Sequence, residues 1–318
     1  MVSACGYDSV PWDLGTMLAV KHLRSRGVTG GVSVAGYVGS TAGGFSGGTV
    51  ASLLGALDDP TARALSGSHS LDLEWAPRPD AGPQMAPRYS SPGRRWTVPS
   101  IMAAVNEKVV NRSAALKPEL YGERGTFVYH EATLVPNAVG AAIGGALMAT
   151  AGLLLALPPT RWLLMKARWR GARPAYSRLR VARATMARTF GTSRLTARRA
   201  AQTVLPAPGQ GPSEAMREGG VFTAHFVATE AEPAAGAKPR RAFARIAARA
   251  DPGYKGTSIM AAEAALCLAL QKDELPGATG GVVTPATCMG DTLLARLRAQ
   301  GFDVSVRDFG DDEVVPDA

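Results

Sequence analysis

The chain has 318 residues, 46% of them hydrophobic and 19% charged, enough to bury the core of one large domain or two small ones and too apolar for a disordered protein. Three cysteines, Cys5, Cys267 and Cys288, stand far apart and odd in number, and the histidines His22, His69, His130 and His225 never fall two to a helix face. A disulfide framework and a zinc site are therefore not expected, and no metal is predicted. The net charge of +9 is local, because residues 161–213 hold twelve Arg or Lys and no acid while the rest is slightly acidic; such a surface calls for an anionic partner.

In chain order, the residues before Gly6 suggest a short apolar strand running into a turn. Ser9 or a neighbour can cap a helix with Pro11 in its first turn, continued through Leu14, Leu18 and His22 to Gly27. With no βα unit before it, this opening reads as the end of a domain whose earlier part would lie upstream. Residues 28–38 predict a strand, 39–48 a glycine-rich stretch, 49–57 a short helix and 66–95 a loop. Ser100–Leu116 predicts a helix with Ile101, Val105, Val109 and Leu116 on its apolar face, and Thr126–Val135 a strand. Val221–Thr229 and Ala242–Ala250 alternate as an antiparallel pair. Thr257–Gln271 and Asp291–Gln300 predict helices, and Phe302–Val306 a last strand. No internal repeat is present. Strands in runs with helices between them predict an α+β fold, a mixed or antiparallel sheet with helices on one face.

Between these parts, Ala138–Leu157 runs twenty residues without a charge; as a helix it would be about 30 Å long, the thickness of a bilayer core. Leu153, Leu154, Leu155 and Leu157 favour insertion, and Gly140, Gly144, Gly145 and Gly152 oppose it. After Pro158 and Pro159, Arg161, Trp162, Lys166, Arg168, Trp169 and Arg170 mix tryptophans with cations as membrane interfaces do. The expectation is an apolar membrane-associated helix from Ala138 that dips and returns, with the basic flank on anionic lipid. Its place would be the cytoplasmic face of a lipid droplet, endomembrane or plasma membrane. Residues 1–30 lack the pattern of a secretory signal, so secretion is not expected. Two alternatives stay open: a helix buried in the α+β core, packed through its glycines, and a solvated basic linker. Nucleic acid is disfavoured, because few aromatics stand among the arginines and no recognition motif frames them.

Four blocks carry a resemblance. Gly6-Tyr7-Asp8-Ser9-Val10-Pro11 with Asp13-Leu14-Gly15, then Gly43–Thr49, then Asp251-Pro252-Gly253-Tyr254, then Gly281–Asp291 resemble, in order, signatures of the saccharopine dehydrogenase-like oxidoreductases, which include trans-acting enoyl reductases of glycolipid assembly. The resemblance implies that a dinucleotide-binding half precedes Met1, and that residues 1–27 are the last strand and helix of that Rossmann-like domain. Residues 28–135 and 214–318 would then be two parts of a substrate and dimerisation domain, a homodimer being one implied partner, and 136–213 an apolar and Arg-rich membrane-proximal insert. It further implies that Gly6, Ser9, Val10 and Pro11 border a nicotinamide, with NAD or NADP bound only where the preceding half is present.

From the residues alone, no Gly-x-Gly-x-x-Gly follows a strand and no Walker lysine stands in Gly39–Thr49, so this chain by itself predicts no dinucleotide site. Asp8 and Asp13 suit helix capping. Tyr254 and Lys255, on a turn before the cap at Thr257, are candidates for contact with substrate or cofactor, or merely position the helix. Ser46 lacks a histidine partner for a nucleophile triad. Two functional readings follow. One is the carboxyl-terminal part of a nicotinamide-dependent oxidoreductase acting on a lipid-linked substrate; the other is a membrane-attached binding or scaffold protein without a cofactor domain.

Overall fold

The computed structural model describes residues 1–43, 55, 84–123, 125–157, 159, 211–276 and 281–316. Helix α1 (Val10–Ser25) has Pro11 in its first turn, where a missing N–H costs no hydrogen bond. It ends in a Schellman motif: Gly27, at φ +82°, donates its N–H to the Arg24 carbonyl at 3.0 Å and Val28 donates to that of Leu23 at 3.1 Å. The chain then enters β1 (Val32–Ala42). A hairpin of β2 (Arg88–Ser90) and β3 (Arg95–Pro99) leads to α2 (Ala103–Leu116) and the short α3 (Pro118–Tyr121). Next come β4 (Phe127–Val135), α4 (Ala138–Ala156), α5 (Glu214–Glu218), β5 (Val221–Glu230) and β6 (Arg241–Ala248). A π turn over Pro252–Gly256 opens α6 (Thr257–Leu270), and α7 (Pro285–Cys288), α8 (Gly290–Ala299) and β7 (Asp303–Asp308) close the described fold.

The seven strands form one sheet in the order β2-β3-β4-β1-β5-β6-β7. Only β1 and β4 run parallel, Gly36 opposite Glu131; the other pairs are antiparallel, including the expected β5–β6 pair with Phe226 opposite Ala244. The sheet is thus mixed. Because side chains alternate along a strand, Phe226, Gly36, Tyr129 and Glu131 share one face, and α1, α2 and α4 lie on it. There Trp12 meets Phe226 edge-on at 5.7 Å, and a Cβ at Gly15 would run into the Phe226 ring. The opposite face carries a smaller core of Tyr37, Val227 and Phe243, covered in part by Phe309 and Val315.

Three expectations are corrected. The predicted membrane helix is the first: among the described residues no helix is long and apolar enough to cross a membrane. The segment does fold as α4, capped by Asn137, whose side chain accepts from the Gly140 N–H at 2.9 Å. The glycines that dilute its apolarity also seat it on the sheet, since a Cβ at Gly144 would stand 3.2 Å from Val98 and one at Gly145 would collide with Pro87. The fold is α+β, with α4 laid on the sheet as a layer helix. Ala138, Leu153, Leu154 and Leu157 of the expected membrane set are exposed. The Leu155 side chain and Arg161, Trp162, Lys166, Arg168, Trp169 and Arg170 lie outside the described residues.

The second correction concerns the strand expected before Gly6. Residues 1–9 hold no named strand; Val2 makes a lone parallel bridge to Val283. Helix α1 is built into the main core against β5 and β6, with Trp12, Leu14 and Val20 buried. The third concerns α2. Ile101 and Val105 face solvent, while Asn106, Glu107, Asn111 and Ser113 are buried beside Val109 and Val110. An apolar-face prediction misreads a helix whose inward face carries polar groups with partners waiting in the core. The short helix expected over 49–57 falls almost wholly outside the described residues.

Candidate functional site

Three of the four sequence blocks, spread over nearly the whole chain, meet around the start of α1, with Gly43 of the remaining block packed beside the third. Met1, five residues before the first block, donates its terminal ammonium to the Gly281 carbonyl at 2.6 Å and accepts from the Val283 N–H at 3.0 Å, both in the fourth block. Asp13 accepts from the Ala286 N–H at 2.8 Å. The Tyr7 N–H donates to Thr257 Oγ1 at 3.1 Å, just past the third block. Gly43, the first residue of the second block, leaves no room for a Cβ against Asp251 and Pro252; Gly44–Thr49 lie outside the described residues.

Local chemistry fixes each piece. Asp251 accepts from the Tyr254 N–H at 2.6 Å and Thr257 donates to the Pro252 carbonyl at 2.8 Å, so the π turn is held from both ends. A capping box of Thr284 and Thr287 starts α7. That helix start points the Ala286 N–H at Asp13.

Two buried carboxyls occupy the seam between α1, α2 and the sheet. Asp13 accepts from Ala286 and Ser113, and Ser113 and Thr284 hydroxyls stand 2.6 Å apart. Burial raises the Asp13 carboxyl to about 6 against these hydrogen bonds. Glu131, on β4, accepts from Ser100 Oγ at 2.5 Å, from Asn106 Nδ2 at 2.7 Å and from the Tyr129 hydroxyl at 3.4 Å. Burial lifts it to about 7, with the three hydrogen bonds pulling the other way. Asn106 Oδ1 in turn receives the Ser9 hydroxyl at 3.4 Å. Burial also pushes the Tyr7 hydroxyl, bonded to Thr41, up to about 12, and nearby Glu131 adds to this. The arrangement can hold a proton on a carboxyl around neutral pH beside the first block.

The expected site residues divide. Gly6 packs on Thr257, a Cβ there meeting it at 3.1 Å. Ser9, Val10 and Pro11 are buried, and the N–H groups of Ser9 and Val10 turn back onto the Gly6 carbonyl at 3.2 and 2.9 Å. These residues do not build a phosphate cradle, since two of the amides at the helix start are already used. Tyr254 packs on Gly211, and Lys255 pairs with Glu218; neither contact joins them to Ser9 or Glu131. Ser100, Asn106, Ser113, Tyr129 and Glu131 are what the sequence reading missed. One signal was present: Phe127, Tyr129 and Glu131 alternate on a single strand face, so an acid falls among aromatics pointing inward. Among the described residues no group of three or more His, Cys, Asp or Glu could hold a metal ion.

Comparison with known proteins gives a consistent answer. The chain is 35% identical over 325 residues to a protein of Mycobacterium tuberculosis named as a trans-acting enoyl reductase. It is 30% identical over 329 residues to the trans-acting enoyl reductase of Mycobacterium ulcerans and 30% over 325 to that of Mycobacterium bovis. The chain is a relative of the trans-acting enoyl reductases. These matches take in 95–96% of the chain and 66% of each relative, so it spans about two thirds of their length. No family model and no solved structure matches. The resemblance expected from the four blocks is supported in its enoyl reductase branch, and the matches say nothing of saccharopine dehydrogenases. Three of the blocks that carried the resemblance, with Gly43 of the second, fold together.

Proposed function

We propose that this chain is the substrate-binding and dimerisation part of a nicotinamide-dependent, saccharopine dehydrogenase-like enoyl reductase that acts on a lipid-linked substrate in glycolipid biosynthesis. The observation that carries the reading is the meeting of three of the blocks, with Gly43 of the second close by, at the start of α1, beside the buried carboxyls Asp13 and Glu131. The names of the relatives favour a reductase. NAD or NADP would be held mainly by a dinucleotide-binding part matching relatives' length that this chain does not span, with Gly6, Ser9, Val10 and Pro11 bordering the nicotinamide. When bound, that group supplies hydride. The residues of this chain orient the substrate, exclude water through the packed seam and keep a proton available.

An apolar substrate is supported by α4, which leaves Val139, Ile143, Leu147 and Leu154 open to solvent on the face of the sheet that holds Glu131. Work at the cytoplasmic surface of a membrane or lipid droplet is supported by the twelve Arg and Lys of residues 161–213, a charge that suits anionic lipid. The test is to mix this chain, joined to its dinucleotide-binding part, with NADPH or NADH and a 2-enoyl thioester, follow nicotinamide absorbance, and measure dinucleotide and vesicle binding separately. Oxidation coupled to loss of the double bond is the expected result. Vesicle binding without dinucleotide binding would replace the reductase by a lipid-binding scaffold.

A further inference from the structure

Resting on the reductase reading, we propose that the Ser100 hydroxyl delivers the proton to the substrate and that Glu131 is the reservoir behind it. Reduction of a C=C bond conjugated to a carbonyl needs a hydride at the β carbon and a proton at the α carbon. The reductant, by class, is a nicotinamide; the proton must come from the protein or from water.

Geometry selects Glu131 over the other buried acid. Both oxygens of Glu131 are occupied, Oε1 by Ser100 at 2.5 Å and Oε2 by Asn106 at 2.7 Å. Asn106 and Tyr129 are buried with it, and Ser9 beyond Asn106 is buried too, whereas Ser100 is half-buried at the rim of the seam. An amide such as Asn106 holds a carboxyl in place but passes no proton, whereas a hydroxyl both gives and takes one. The route outward from Glu131 therefore runs through Ser100. Asp13 has no such exit: its hydroxyl partner Ser113 is buried and leads only to buried Thr284.

The step balances. The α carbon of the enolate left by hydride addition takes the Ser100 Oγ proton, Ser100 takes the proton of the Glu131 carboxyl, and Glu131 remains as carboxylate. Water returns a proton by the same hydroxyl. The titratable groups around Glu131 are Tyr129 on its own strand, Tyr7 before α1, and Asp13 and Glu107, both within electrostatic reach of Tyr129. Among the described residues these are acids or phenols, and the influences acting on Glu131 are burial and its hydrogen bonds to Ser100, Asn106 and Tyr129. Burial keeps the carboxyl protonated to about 7, which supports the role.

The experiment uses this chain joined to its dinucleotide-binding part, in two arms. Infrared titration of its carboxyl bands should show one group losing its proton near pH 7 that is absent from Glu131→Gln. In the nicotinamide-coupled assay, Glu131→Gln should lower kcat by about 100-fold or more and remove the fall in rate above pH 7. Ser100→Ala should match that loss, and Ser100→Thr, which keeps a hydroxyl, should restore most of it. Glu131→Gln or Ser100→Ala with unchanged kcat and pH profile overturns the proposal and leaves the reductase reading standing; so does an infrared midpoint in the ordinary carboxylate range. A wild-type protein that reduces no enoyl thioester overturns the reading, and the proposal with it. Should Glu131→Gln fail to fold, the contrast between Ser100→Ala and Ser100→Thr decides alone.

Discussion

Asp13 Oδ2 accepts a hydrogen bond at 2.8 Å from the backbone N–H of Ala286, 273 residues further along the chain. With Ser113 as its second donor, this one buried carboxylate ties α1 to α2 and to the start of α7. Truncation by Asp13→Ala strands a buried N–H and should cost about 1–3 kcal/mol, read by urea unfolding. The charge has a separate signature. Burial raises the Asp13 carboxyl from 3.8 to about 6, so the folded state holds its proton more tightly than the unfolded chain. Its contribution to stability is complete below pH 3.8 and is lost as pH rises through 6. Asp13→Asn, which does not titrate, should flatten the unfolding midpoint across that window, and a wild-type midpoint that does not decline there relative to Asp13→Asn would contradict the assignment.

Gly15 faces Phe226 so closely that a Cβ would enter the ring. In an exposed helix, alanine would raise helix propensity by about 1 kcal/mol. Here overpacking outweighs that gain, because Phe226 is also pressed by Trp12 from α1 and has no free space to turn into. Gly15→Ala should therefore lower stability by about 1–3 kcal/mol. Calorimetry checks the sign: a raised melting temperature would mean that α1 does not lie this close to β5.

Gly15 and Glu131 mark what the sequence could and could not disclose. Strands β4 to β7 and helices α1, α6 and α8 were legible because alternation, Pro11, Gly27 and Gly301 punctuate them locally. The resemblance put weight on Gly6–Gly15 and Gly281–Asp291, but their meeting through Asp13 and Ala286 depends on tertiary placement that no local signal contains. Helix α2 was read from Ile101 and Val105, which the fold leaves in solvent. Its inward face is polar, and a polar buried face looks like a surface until its partner strand is known. The α4 segment was misread for the converse reason: its glycines reach Val98 and Pro87, a contact that hydropathy cannot register.

His225 sits fully buried on the opposite sheet face, its ring tilted against Phe243 at 5.4 Å. Among the described residues neither ring nitrogen has a hydrogen-bond partner. Burial, with Arg245 adding to it, lowers this imidazole from 6.5 to about 4. The unfolded chain therefore takes the proton first. Stability is full above pH 6.5 and is lost as pH falls toward 4, by at most about 3 kcal/mol. His225→Phe removes that loss, and because it also removes two unsatisfied polar atoms it should be neutral or stabilising at pH 8. The check is denaturant unfolding of both proteins at pH 8 and pH 4.5. A variant that is as acid-sensitive as the wild type would show that other groups govern the low-pH limb.

Ile143 and Leu147 lie four residues apart on α4, 58% and 67% exposed, while Gly144 and Gly145 between them turn inward to the sheet. Charging the outer face should leave the fold unaffected: Leu147→Glu replaces one helix former by another at a solvated position, with a stability change within about 0.5 kcal/mol. The proposed lipid-linked substrate gives the same change a large effect elsewhere. An acyl chain lying on α4 loses apolar area and meets a carboxylate, so KM for a long-chain enoyl thioester should rise about tenfold or more, with kcat and the KM of a short-chain analogue unchanged. This pattern separates the apolar face from the proton-donating seam, where Ser100 and Glu131 variants act on kcat. Equal KM for long and short chains in wild type and variant would remove the lipid-linked part of the proposed function and leave the reductase to a small substrate.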